Sequence, residues 1–306
     1  MKLSILHAFF LLIIGVTVSC KTDTDIDFER TKLTINDQTF KILTAWKILD
    51  DYIVYRSDYE KNIFLKIKEE FDTNNSEFPF LLDAIKNKIE PDEPLKEEIE
   101  LMQPIDFVRI ADSVYQIVTK ELPGPDTKIL LIPTNPANRE FYRKYGIGFH
   151  AFTLGTGKII VSFDPTFENW RQYIHYALAH EYHHSVWMSR HFKTANIAPL
   201  EYIIFEGKAD LFAKGIFPES NNPFWDVLDS DNEKRIWNLI KPEMHERHTD
   251  INDRIFYGTE DIPYGSVYAI GYSILKSFKE HNPGITASEI LDLSPEKILQ
   301  LSKYYE

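Results

Sequence analysis

Short apolar runs mark three strands in the middle of the chain. The runs Lys128–Pro133, Phe149–Leu154 and Lys158–Phe163 are rich in β-branched and aromatic residues. The tripeptide Gly155-Thr156-Gly157 separates the second run from the third, which is typical of a tight hairpin. This stretch therefore predicts a small β-sheet that includes a hairpin.

Elsewhere the apolar residues follow helical spacing. Trp46, Leu49 and Ile53 recur every three or four residues, and similar spacing marks several later segments. The segment from Asn169 to Arg190 contains neither glycine nor proline, so one long helix is allowed there. A second helix is predicted from Pro199 to Ala213. We therefore predict an α+β fold that is mostly helical, in which a small sheet precedes these two helices.

The long predicted helix carries the sequence HEYHH at positions 180–184. Two imidazoles four residues apart project from one helix face, so His180 and His184 are placed to bind one zinc ion while Glu181 points at its water. Both rings share a stripe with large apolar residues such as Trp187, which predicts that they face inward. The alternative is a surface helix that happens to carry several histidines.

The following helix offers a third ligand. Glu206 and Asp210 share a face with Ile203 and Ala213, and two acids on an apolar face are costly to bury unless something neutralises them. A hydrolytic zinc site takes three protein ligands and keeps one position for water. We assign Glu206 as the third ligand and Asp210 as the acceptor of the outer N–H of a histidine, preferably His180. An exposed, solvated acidic pair is the alternative.

These motifs resemble a known family. HEYHH followed by Glu206-Gly-Lys-Ala-Asp210 is similar to the gluzincin pattern, and more closely to a group of bacterial proteins described as predicted zinc-dependent proteases. The resemblance extends to segments 148–164 and 264–272, covers roughly residues 120 to 306, and is weak over the N-terminal third. It implies a zincin-like metallopeptidase fold with an active-site helix and a downstream glutamate helix, and it implies little about the substrate.

The hypothesis of a hydrolytic zinc site predicts roles for further residues. Glu181 is the expected general base, and a further donor is needed for the oxyanion of the tetrahedral intermediate. Tyr268 is the first candidate for this catalytic role, because it lies in an apolar helix that would pack over the site. His245 and His248 are the second candidates, and a packed core aromatic is the alternative for Tyr268. His183 points about 60° off the direction of His180 on the helical wheel, which predicts packing or hydrogen bonding for it.

The N-terminus indicates export. A short basic start leads into an apolar run that ends at Cys20, the only cysteine, and polar residues follow. This resembles a bacterial lipoprotein signal with a loose lipobox, in which Thr17 occupies the usual leucine position; an ordinary signal cleaved nearby is the alternative. We predict a signal peptide at 1–19, a tether at 20–40, an N-terminal helical region at 41–122 and the zincin-like catalytic domain at 123–306. One continuous globule fits the sequence equally well.

Charge and cysteine content limit the kinds of partner that we expect for this chain. The net charge is −13 and the basic residues form no patch along the sequence, so nucleic acid is not an expected partner. With Cys20 lipidated, the mature chain has no disulfide. We expect one Zn²⁺ per chain, a peptide or protein substrate, and a lipid anchor at the bacterial cell envelope, facing the periplasm or the exterior. The alternatives are a non-enzymatic envelope lipoprotein that uses this fold as a scaffold, and a closed structural zinc site.

Overall fold

A computed structural model describes residues 27–73, 89–145, 148–167, 170–191, 197–220, 222–247 and 250–305. The predicted signal peptide and the predicted lipidation site at Cys20 lie outside these ranges. Within the described residues, every helix is too short or too polar to cross a bilayer.

A five-stranded mixed sheet forms the centre of the fold. Its strands are β1 (Glu29–Ile35), β2 (Gln38–Thr44), β3 (Thr127–Pro133), β4 (Phe149–Gly155) and β5 (Lys158–Phe163). The order is β1-β2-β3-β5-β4, with β2, β3 and β5 parallel and the two outer strands antiparallel to their neighbours. The three predicted strands and the hairpin between β4 and β5 are confirmed, and β4 is an edge strand.

The predicted tether at 20–40 is wrong in its second half. The residues from Glu29 onward form β1 and the start of β2, which meet at a turn in which Asn36 and Asp37 both have positive φ angles, 46° and 64°. Such a turn matches the twist of a two-residue hairpin. The alternating buried residues of β2, among them Phe40 and Ile42, anchor this hairpin in the core.

The sheet also crosses the predicted boundary between residues 122 and 123. β2, from the first half of the chain, pairs in parallel with β3, from the second half. Phe40 of β2 and Ile160 of β5 belong to the same apolar core, together with residues of the N-terminal helices. The N-terminal region therefore completes the sheet and shares its core.

Twelve α-helices surround the sheet in the described part of the chain, which confirms a mostly helical α+β fold. A π-helical turn, Glu60–Phe64, leads into the second, and 3₁₀ turns occur at Pro136–Asn138 and Lys241–Glu243. The helices are α1 (Trp46–Tyr55), α2 (Leu65–Glu70), α3 (Glu93–Met102), α4 (Phe107–Glu121), α5 (Arg139–Tyr145), α6 (Trp170–His191), α7 (Pro199–Ile216), α8 (Ser230–Ile240), α9 (Ile251–Tyr257), α10 (Ser266–His281), α11 (Ala287–Asp292) and α12 (Pro295–Ser302).

Three helices determine where the predicted site lies. α6 packs on β4 and β5, α7 packs on α6, and α10 packs on α7. α7 and α10 cross where two glycines meet: a Cβ atom on Gly207 would lie 2.4 Å from the backbone oxygen of Gly271. Only glycine permits so close an approach, so the glycine within the Glu206–Asp210 motif allows α10 to pack closely against α7.

Candidate metal centre

Three side chains from two helices converge in the interior. His180 and His184 lie one turn apart on α6, and Glu206 reaches them from α7. The Nε2 atoms of His180 and His184 lie 3.2 Å and 3.3 Å from the same oxygen, Glu206 Oε2. One ligand atom from each residue lies within 4.8 Å of the others. These are the three predicted ligands, and the structure brings them together.

Burial excludes both surface alternatives. His180 and His184 are 5% and 4% exposed, so α6 is not a surface helix that happens to carry histidines. Glu206 is 6% exposed and Asp210 is fully buried, so the two acids are not a solvated pair. Buried ionisable groups of this kind need partners of opposite charge or a metal.

Asp210 is the centre of a second ring of hydrogen bonds. Its Oδ1 atom lies 2.9 Å from Nδ1 of His180, the histidine favoured from the sequence. The hydroxyl of Tyr176 donates to the same Oδ1 and lies 3.2 Å from Nδ1 of His180. The indole of Trp225 donates to Oδ2 over 2.8 Å, and Asn222 donates to the Tyr176 hydroxyl over 3.0 Å. Asp210 is thereby fixed in the orientation that holds the His180 ring.

Sequence reasoning missed three members of this ring. Tyr176 is buried on α6, and the helical spacing that predicts its burial does not predict a hydrogen bond for it. Asn222 and Trp225 lie in the loop between α7 and α8, where neither helical nor strand periodicity marks an inward side chain. Their contacts join segments far apart in the sequence, and a single sequence does not reveal such contacts.

Neighbouring charges strongly shift the pKa values of His180 and Glu206. Burial lowers the pKa of His180, but hydrogen bonds with Asp210 and Glu206 outweigh this effect and raise the pKa well above its ordinary value. Burial raises the pKa of Glu206, but the nearby charge of His184 and hydrogen bonds from both histidines outweigh it and lower that pKa to about 2. The buried group thus combines a negatively charged carboxylate with imidazole nitrogens that bind a cation. A divalent cation bound between these side chains would replace the proton of the imidazole.

The two candidate histidine ligands have different surroundings. Nδ1 of His184 is buried and, among the described residues, has no hydrogen-bond partner. Its ring stacks on Phe205, with the ring centroids 3.8 Å apart and the planes 16° apart. His184 is therefore oriented by stacking, whereas His180 is oriented by the carboxylate of Asp210.

Glu181 lies beside the edge strand β4. It is 7% exposed, and its Oε2 atom lies 2.8 Å from the hydroxyl oxygen of Thr153 on β4. The same hydroxyl lies 2.8 Å from the backbone oxygen of Glu181. The predicted general base is therefore held against the edge strand β4. Thr153 is a further residue that sequence reasoning missed.

Tyr268 approaches the centre from α10. Its ring centroid lies 6.3 Å from that of His180, and its ring stacks on Phe224 with the centroids 5.5 Å apart. The side chain is half-buried, and burial raises the pKa of its hydroxyl well above the ordinary value. Tyr268 therefore keeps its proton near neutral pH and is available as a hydrogen-bond donor.

The other histidines considered from the sequence are not among the three candidate ligands. The side chain of His245 is 56% exposed and lies 4.0 Å from Glu296, and His248 lies outside the described residues. His183 is 1% exposed, packs against Phe212, and has its pKa lowered well below the ordinary value by burial. His183 is therefore a neutral packing residue.

The donor set fits a catalytic zinc ion. Two imidazole nitrogens and one carboxylate oxygen are the ligands that zinc takes in hydrolytic sites, where a fourth position stays open. All three groups are buried and point at one another, and Asp210 supports one of the rings. Zinc bound there would be held by His180, His184 and Glu206.

A mostly helical α+β fold in which two histidines and a glutamate meet in the interior defines a protein with a candidate metal centre. The model of a family described as predicted Zn-dependent protease (DUF2268) matches residues 107–300, from the start of α4 to within α12. This match covers more than half of the chain, and the chain belongs to that family. Comparison with the curated proteins and with the solved structures found no match.

Proposed function

We propose that this chain is a zinc-dependent metallopeptidase that binds one Zn²⁺ through His180, His184 and Glu206. The observation that carries the proposal is the approach of both Nε2 atoms to one oxygen of Glu206 inside the protein. Membership of a family described as predicted Zn-dependent protease supports the same activity. Bound zinc would polarise the scissile carbonyl and acidify a water molecule.

Glu181 supplies the proton transfer. Its carboxylate takes a proton from the attacking water and later delivers that proton to the leaving amine. A closed structural zinc site needs four protein ligands, often cysteines, and no adjacent general base. The buried carboxylate of Glu181 next to His180 thus favours an enzyme over a structural site.

Tyr268 stabilises the developing negative charge in this proposal. Its hydroxyl keeps its proton, and its ring lies beside that of His180. A donor in this place would bind the carbonyl oxygen more strongly as the carbonyl carbon becomes tetrahedral. Tyr268→Phe should therefore lower kcat more than it changes KM.

The substrate is a peptide segment in extended conformation. β4 pairs only with β5 in the described sheet, and β-addition by a peptide would use its other edge. Thr153 of this strand contacts Glu181, so a peptide on this edge would lie near the proposed general base. A peptide on this edge would bring a backbone carbonyl towards the centre.

We further propose that the protein is anchored at the bacterial cell envelope through lipid on Cys20. The first described core residue is Phe28, so the residues between Cys20 and Phe28 would connect the lipid to the folded part. Labelling of cells with radioactive palmitate should mark the parent chain and leave a Cys20→Ala variant unlabelled. Equal labelling of both chains would reject this anchor.

Metal analysis and a peptide library test the enzymatic proposal together. The mature chain should contain about one zinc ion, and His184→Ala or Glu206→Ala should remove it. Glu181→Gln should retain the zinc and lose hydrolysis of library peptides. A parent chain that carries zinc but cleaves none of the peptides would favour the scaffold alternative, and cleavage by Glu181→Gln at the parent rate would exclude Glu181 as the base.

A further inference from the structure

The contact between Thr153 and Glu181 is buried on both sides. Thr153 is 9% exposed and Glu181 is 7% exposed. The Thr153 hydroxyl lies 2.8 Å from both Glu181 Oε2 and the Glu181 backbone oxygen. Valine has nearly the same shape and would fill this strand position without a polar group. Burying a hydroxyl costs free energy unless it is hydrogen-bonded. Both acceptors of the Thr153 hydroxyl belong to Glu181, so the contact with Glu181 accounts for a threonine at this position.

The strand is irregular at this point. Between the paired residues Thr153 and Gly155 the register of β4 against β5 shifts, so that Leu154 is an extra residue in β4. An irregularity of this kind redirects the neighbouring side chains and is common next to active sites. The hairpin is also attached to α6 one turn further on, where the amide of Gly157 donates to Ser185 over 2.8 Å.

We propose that Thr153 is a positioning residue for Glu181, an inference that rests on the peptidase function proposed above. The hydroxyl has one proton and two acceptors on Glu181, both at 2.8 Å, and when it donates to Oε2 it fixes the rotation of the carboxylate. Oε1 is then the oxygen that takes the proton from water and releases it to the leaving amine. Because Thr153 belongs to the edge strand on which a peptide would lie, the general base and the substrate are held by the same strand.

Three variants separate this role from simple packing. Thr153→Val removes the hydroxyl and keeps the shape, whereas Thr153→Ser keeps the hydroxyl and removes a methyl group. Thr127→Val on β3 is the matched control, because Thr127 is also buried and donates to a backbone oxygen, that of Pro125, over 2.9 Å. All three are compared with the parent for zinc content, melting temperature, kcat and KM on a peptide selected from the library.

The expected result is a selective loss of turnover. Thr153→Val should lower kcat by about 10-fold to 100-fold, the order expected when a reacting group is misplaced, with KM within about 3-fold of the parent. Thr153→Ser should recover kcat to within about 3-fold, and Thr127→Val should leave it unchanged. Zinc content should be the same in all chains. An unchanged kcat in Thr153→Val, or a failure of serine to restore it, would overturn the proposal.

A binding measurement separates this proposal from the peptidase function itself. Glu181→Gln in the same assay shows whether hydrolysis depends on the base, and a parent that cleaves nothing rejects the peptidase function. The zinc-loaded chains are therefore also titrated with acetohydroxamate by calorimetry, since its acidic proton would be held by Glu181. Weaker binding to Thr153→Val than to the parent and Thr153→Ser supports the positioning role, and equal binding to all three rejects it.

Discussion

Replacing Asp210 with Asn tests whether the outer hydrogen bonds organise the metal centre. Asp210 is fully buried and receives hydrogen bonds from His180, Tyr176 and Trp225. An amide has one oxygen and one NH₂ group, so one side of Asn would present hydrogens to a group that is itself a donor. The substitution also removes the negative charge that makes His180 a better ligand.

The expected decrease in zinc affinity follows from the loss of this charge and of the hydrogen bonds. Removing a carboxylate that supports a ligand histidine typically weakens metal affinity by about 10-fold to 100-fold, equivalent to about 1.4–2.8 kcal/mol. The Kd for zinc is measured by competition with a chromophoric chelator at constant pH. Asp226→Asn is the matched control, because Asp226 is exposed and lies next to Trp225 in the same loop. Its zinc affinity should equal that of the parent.

Two results would refute this reasoning. A zinc Kd within about 3-fold of the parent in a folded Asp210→Asn chain would mean that the contact does not support the ligand. A metal-free Asp210→Asn chain that is already unfolded would instead assign the network to stability. Thermal melts of the metal-free parent and variant, recorded beside the zinc titration, distinguish the two outcomes.

The ligand set was predictable because it depends on local periodicity. The spacing of His180 and His184 and the apolar stripe around them fix one helix face, and the acids at 206 and 210 fix another. When two helices bury polar side chains, these side chains find partners most readily if the two helices pack against each other. The structure brings these four side chains together, with Glu206 between the two rings and Asp210 behind His180.

The N-terminal sheet strands and the hydrogen bonds around the ligands were not predictable in the same way. Acidic residues before and within β1 resemble a solvated linker, and five of its seven residues are exposed, so its alternation is weak. The dipeptide Asn36-Asp37, which is typical of a turn, was the sequence feature that indicated a hairpin here. Thr153 and Trp225 act through contacts across 28 and 15 residues of sequence, where no helical or strand period operates.

Replacing Gly207 with Ala should cost about 1–3 kcal/mol in urea unfolding, because its Cβ atom would lie 2.4 Å from a backbone oxygen of α10. Gly284→Ala, which meets no atom within 4 Å, should change little, and equal losses would contradict the close crossing. Burial raises the pKa of Glu70, but hydrogen bonds from Lys41 and Arg30 outweigh it and hold the pKa below its ordinary value. This stabilisation is complete above the unfolded carboxyl pKa of about 4.3 and is lost as pH falls through the lower folded pKa. Glu70→Gln should therefore be less stable than the parent at about pH 7 and nearly equal to it at about pH 2, whereas a constant difference would refute the ion pairs.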